Sequence, residues 1–182
     1  AALEKAGILE GRDVGIGNEI VMGADGLAAG ELRETNAFSP VMALSETGGR
    51  EMLGSATGGD PAHVTPEERA PDIAVRKKGL AYCASQGITS IQNMDGSLYQ
   101  LEMLQEIEDT EGLPVRVRMP YHMKNFMPLS DLADKAALWR ARFNSDKLRC
   151  NFVKMFVDGV TEGETAVFVD DYSHKPGWKG EP

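Results

Sequence analysis

The sequence predicts an α/β fold, a parallel sheet covered by helices, and three observations carry that reading. From Thr65 onward, helical and strand signals alternate three times, the order expected of a parallel sheet with crossover helices. The run at 148–157, LRCNFVKMFV, is apolar at both parities, with Leu148, Cys150, Phe152 and Phe156 on one and Val153, Met155 and Val157 on the other. Such a strand belongs inside a sheet that is dry on both faces. The chain has 182 residues, 42% hydrophobic and 26% charged, so it is long enough for one domain with a real core.

Residues 1–10, AALEKAGILE, favour a helix that Gly11 is placed to end. Ile20 to Met22 suit a short strand, Ala24-Asp25-Gly26 a turn, and Leu27 to Leu32 a returning strand. Residues 46–63 hold five glycines and little apolar periodicity, which fits either a flap or a plain linker. Thr65-Pro66-Glu67-Glu68 is a capping box with proline at the first helical position. Ala70, Ile73, Ala74, Leu80, Ala81 and Ala84 then share one helical stripe, and Gly87 suits the end. The β-branched run at 88–92 reads as a strand. Ser97 can cap a second helix with Leu98, Leu101, Leu104 and Ile107 inward, closed by Gly112. Residues 115–119 form the next strand, and 120–129 a loop holding Tyr121 and His122. Ser130 can cap a third helix bearing Leu132, Ala136, Trp139 and Phe143, which leads into the strand at 148–157.

The net charge of −9 argues against a nucleic-acid groove or an anionic membrane surface, both of which want a basic patch. The densest basic cluster, Arg76 to Lys78, reads as a solvated helix face. No stretch approaches the ~20 apolar residues that span a bilayer. No signal peptide follows Ala1, so a cytoplasmic location is expected. Cys83 and Cys150 give no disulfide framework, and Cys150 fits a small core residue.

Lys154 interrupts the apolar strand. Burial disfavours an ammonium, which would make the amine available for chemistry. The bland reading is that the strand ends early and Lys154 reaches solvent or pairs with Asp158.

Four segments together resemble the family 3 branch of the amidohydrolase superfamily, which includes the N-substituted formamide deformylases and the exoenzyme-regulatory type. They are DG…GELRE at 25–34, GLAYCASQGITSIQ at 79–92, PVRVRMP at 114–120 and FVKMFVDGV…ETA…Y at 152–172. The K-x-x-x-D-G signature at Lys154 is the most specific. The resemblance implies a distorted (β/α)8 barrel with one or two divalent metals, zinc foremost, at the C-terminal ends of its strands. Residues 63–182 would be a partial barrel, about strands 2 to 4 with their helices, and residues 1–62 an N-terminal insertion or flap. Lys154 matches the metal-holding lysine of strand 4, which is carboxylated in the family. The implied reaction is hydrolysis of a non-peptide C–N bond in an amide, formamide or cyclic amide by a metal-activated hydroxide.

The family's His-x-His is not in this sequence, and His63, His122 and His174 are far apart. The chain is therefore expected to be an internal piece of a larger hydrolase, with no catalytic residue of its own. It should hold no metal alone and be inactive alone. Three residues are candidates for the substrate pocket. Glu34 aligns with a glutamate of the family's G-x-L-x-E segment or is an ordinary exposed carboxylate. His122 lies just past a strand, facing the pocket or simply on a surface loop. Asp158 could hold the modified lysine or begin a turn. The expected partner is a small amide-type molecule, not nucleic acid or membrane. Unpaired strand edges should make the chain oligomeric or strand-exchanged. The rival reading is a binding or regulatory α/β domain that kept this fold and lost the chemistry.

Overall fold

The structure, a computed structural model, describes residues 1–50, 59–124 and 126–180; positions 51–58 of the glycine-rich stretch lie outside the described residues. The chain divides into two compact units, residues 1–49 with 156–182, and residues 50–155.

In the first unit, helix α1 (Ala2–Lys5) is shorter than expected. Gly7 takes a φ of 67° and turns the chain four residues ahead of Gly11, which frees Ile8 to be buried. Strands β1 (Glu19–Met22) and β2 (Ala28–Arg33) form the expected antiparallel hairpin, with Ile20 opposite Leu32. Its turn is held by Asp25, whose carboxylate accepts from Leu27 N at 3.1 Å. Helix α2 (Thr35–Met42), which the sequence did not announce, lays Ala37 against Ile8 and Ile20. Residues 156–180 are turns, tied together by Trp178, whose Nε1 donates to the Glu164 carbonyl at 2.7 Å.

In the second unit, helix α3 (Pro66–Ser85) begins at the predicted capping box. Glu68 N donates to Thr65 Oγ1 at 3.3 Å, and Thr65 N donates to Glu68 Oε2 at 2.9 Å. Its buried face differs from the predicted stripe. Ile73, Leu80, Cys83 and Ala84 pack on the core, while Ala70, Ala74 and Ala81 stay exposed. Asp72 shares the buried side. Arg50 donates to both its oxygens, at 2.7 and 2.8 Å, and Tyr99 Oη at 2.6 Å. That bidentate pairing is what makes a buried carboxylate tolerable.

Strand β3 (Ser90–Gln92) follows, then α4 (Leu98–Thr110), capped by Ser97 as expected. Leu101, Met103, Leu104 and Ile107 of α4 are buried. Strand β4 (Arg116–Arg118) is followed two residues later by β5 (Tyr121–Met123). A 3₁₀ turn (Leu129–Asp131) moves the start of α5 (Leu132–Arg142) from Ser130 to Asp131. Strands β6 (Leu148–Arg149) and β7 (Val153–Met155) end the unit.

Among the described residues the strand ladders of this unit are parallel, β3-β4-β6 in one sheet and β5-β7 in another, with an isolated antiparallel bridge between Asn144 and Arg149. The alternating helices and parallel strands bear out the α/β class. The 148–157 run is not one strand. Val117 N and Met119 N donate to Lys147 O and Arg149 O, but Tyr121 N donates to Phe152 O at 2.9 Å, so the register slips by one residue and the ladder breaks across 150–152. Nor is the run dry on both faces: Val153, Met155, Phe156 and Val157 are 41%, 44%, 50% and 82% exposed. Cys150 is a core residue, and burial pushes its thiol up to about 11. Among the described residues, no helix is long and apolar enough to cross a membrane.

Candidate functional site

The C-terminal ends of parallel strands are where open α/β sheets and (β/α) barrels build their sites, because the loops leaving them converge there. In the second unit those ends bring together Asp95, His122, Lys124 and Lys154. His122 is on β5, not in a loop, and pairs in register with Lys154 of β7. Adjacent strands lie ~4.8 Å apart, so in-register residues project side by side from the same face. Two residues that the sequence placed in unrelated segments are neighbours across a strand pair.

The His122 side chain is fully buried, and Asp95 Oδ1 lies 3.5 Å from its Nδ1. Both ring nitrogens and that carboxylate oxygen are shut off from solvent, although the Asp95 side chain as a whole is 42% exposed. Burial holds His122 below its ordinary pKa. The Lys124 and Lys154 charges push the same way, and Asp95 opposes them. The ring is thus set up as a neutral imidazole. Burial likewise lowers Lys124, with Lys154 adding repulsion and Asp95 resisting.

Asp95 is placed by its loop. Asn93 Oδ1 accepts from Asp95 N at 2.9 Å, and Asn93 N donates to Arg118 O at 2.9 Å. Gly96 lies so close to the next strand that a Cβ there would fall 2.2 Å from the Pro120 carbonyl oxygen. Only glycine lets the loop sit this low. Sequence reading missed Asp95 and Lys124. Asp95 lies three residues past the predicted strand at 88–92, and Lys124 shares the parity of His122 once 121–123 is read as a strand.

Lys154 is half-buried, and Phe156, expected to help enclose it, is half exposed. The apolar enclosure that the strand pattern suggested is therefore not formed by this run. Asp158 belongs to the other unit, where its Oδ2 accepts from Val167 N at 2.9 Å and fixes a turn.

Glu34 also lies in the first unit, beside a pocket of about 310 Å³ that it lines with Glu19, Arg33, Glu162, Glu164 and Lys175. Its backbone, at φ 65° and ψ 169°, occupies a region nearly reserved for glycine. Lys175 and His174 bond the Glu164 carboxylate at 2.8 and 2.6 Å and hold its pKa at about 2. His63 is exposed.

Among the described residues no three His, Cys, Asp or Glu side chains converge on one point. The strand-end cluster sets Lys154 beside His122, with Asp95 close by, and does not form a cage for a metal.

A model of the amidohydrolase family matches residues 1–182. No curated protein and no solved structure matches the chain.

Proposed function

The chain belongs to the amidohydrolase family, a family of hydrolases that use divalent metals, and from that membership we propose that it serves hydrolysis of a non-peptide C–N bond in an amide, formamide or cyclic amide. The observation that supports this reading is the position of Lys154. It projects at the C-terminal end of a parallel strand, in register with a buried histidine, within a segment that carries the family's K-x-x-x-D-G pattern. Free Lys154 amine takes up CO₂, forming an N–C bond and releasing one proton to solvent. The resulting carbamate carries the negative charge a cation needs. Lys154 as its carbamate would be one ligand of a divalent cation, zinc by preference, which when bound would provide a hydroxide at neutral pH and polarise the substrate carbonyl.

We place these strands as about the second to fourth of a (β/α)8 barrel, with the other ligands and the general base from residues outside this sequence. His122 on β5 is the pocket candidate beside Lys154 in the second unit. On this reading the chain alone holds no catalytic metal. A stoichiometric, tightly held zinc in the purified chain would overturn that part.

The test of the whole reading is Lys154→Ala in the metal-loaded hydrolase that contains this chain. Metal content and amide turnover should be lost together, and a short carboxylic acid should restore part of both by standing in for the carbamate. Metal and turnover near wild type would sink the assignment and favour a binding domain.

A further inference from the structure

We propose that the groove between α5 and the irregular stretch at 150–152 binds a medium-chain carboxylate, its hydrocarbon tail along the alanine face of α5 and its head at Arg140 and Asn151. The site goes beyond the reading of Lys154. Alternation along β7 puts Val153, which lines the groove, on the face opposite Lys154.

Two features open the groove. Ala133, Ala136, Ala137 and Arg140 recur at helical spacing on one face of α5, and the three alanines carry nothing beyond Cβ to fill the space beside the strands. Across from them the chain bulges. Arg118 pairs with Arg149 and Tyr121 with Val153, so the stretch at 150–152 holds one residue more than its partner at 119–120. An extra residue in one strand interrupts the ladder, bends the strand and leaves backbone groups unpaired. The cavity that results is about 280 Å³, lined on the strand side by Cys150 to Val153. At ~30 Å³ per water it has the room of roughly nine waters, which suits a tail of about eight carbons.

The wall is apolar except at two residues. Among the described residues the Arg140 guanidinium has no ion-pair, hydrogen-bond or ring partner, whereas its neighbours Arg142 and Arg149 are paired with Glu102 and Asp146. Asn151, in the middle of the bulge, likewise makes no hydrogen bond among the described residues through its backbone or its side chain. No acidic residue lines the groove, and the buried Cys150 thiol stays neutral, so nothing there competes with an incoming anion. An apolar trough with one free cation and one free amide matches an amphipathic monoanion.

The test titrates octanoate into the purified chain and follows the backbone amides by NMR. Those of 133–140 and 150–153 should shift together and saturate. Hexanoate should bind at least about threefold more weakly, because each buried methylene adds affinity. Octylamine, with the same tail and the opposite charge, should bind more weakly than octanoate. Arg140→Glu should reverse that preference and weaken octanoate by about fivefold. Ala137→Phe, at an exposed position, should block octanoate and leave the circular dichroism unchanged. Equal binding of octanoate and octylamine, in the wild type and in Arg140→Glu alike, would mean adsorption to apolar surface and would overturn the proposal. So would a titration that never saturates, or shifts confined to exposed Val157 and Val169 of the other unit. No metal or turnover enters this readout, so its failure leaves the Lys154→Ala result to be judged separately.

Discussion

At the scale of single residues, the structure spends its buried polar groups on two tasks. His122 lies at the strand ends, whereas Asp72 serves the fold. Burial of Asp72 favours its neutral form, but the hydrogen bonds from Arg50 and Tyr99 outweigh it and hold the carboxyl below its ordinary value. Burial first, and then the hydrogen bond to Asp72, push the Tyr99 hydroxyl up to about 12 against the opposing Arg69 and Arg50 charges. Since the folded pKa of Asp72 is below the unfolded one, its stabilising effect is fully present above the ordinary carboxylate value of ~3.9 and is lost as pH falls through it. Chemical denaturation of the wild type should show an acid limb below about pH 4 that is shallower in Asp72→Asn. Arg50→Met leaves the carboxylate buried without its main partner and should cost about 3 kcal/mol at neutral pH. A cost under about 1 kcal/mol would mean the pair behaves as a surface ion pair. Glu34 tells the same story from the backbone side, because a non-glycine residue at φ 65° and ψ 169° is kept only where its surroundings over-determine it.

At the scale of elements, glycines separate packing from propensity. Gly96 lies in the loop before α4 with the Pro120 carbonyl where its Cβ would be, whereas Gly79 sits inside α3 with nothing within 4 Å. Gly96→Ala should therefore destabilise by about 2 kcal/mol through forced movement of backbone. Gly79→Ala should stabilise by up to about 1 kcal/mol through helix propensity alone. Thermal unfolding of the pair checks both signs, and equal shifts would contradict the close approach at Gly96. These elements also show where sequence reasoning works. Thr65-Pro66-Glu67-Glu68 and Ser97 carry local chemistry that fixes a helix start, and both helices begin there. The hairpin at 19–33 was legible because an Asx turn is local too. Strand β5 was not, since Tyr121-His122-Met123 is three residues long and follows a proline that reads as a breaker. The 148–157 run misled for the converse reason: its composition suits a strand throughout, but its register against 117–123 slips by one residue across 150–152. The pairing of His122 with Lys154 depends on register between distant segments, which no window of sequence contains. The candidate lysine was readable from its motif, while its place beside His122 was not.

At the scale of the whole molecule, the parallel strands raise the question of what covers them. Parallel sheets are ordinarily covered on both faces. Among the described residues β7 pairs with β5 alone, and Val153 and Met155 on β7 remain 41% and 44% exposed. An edge strand with open backbone groups and apolar side chains is a template for another strand. The occupant we propose for the purified chain is a second copy, pairing β7 against β7. The net charge of −9 on each copy opposes that approach, and salt screens such repulsion beyond ~10 Å at 0.1 M. Association should therefore rise with protein concentration and also with ionic strength, the reverse of an interface held by ion pairs. Met155→Lys, which adds a charge at the edge without touching the buried core, should shift the chain towards monomer at every salt concentration. Sedimentation that shows a monomer at high concentration in high salt, or Met155→Lys associating as strongly as wild type, would mean that the β7 edge does not recruit a second chain.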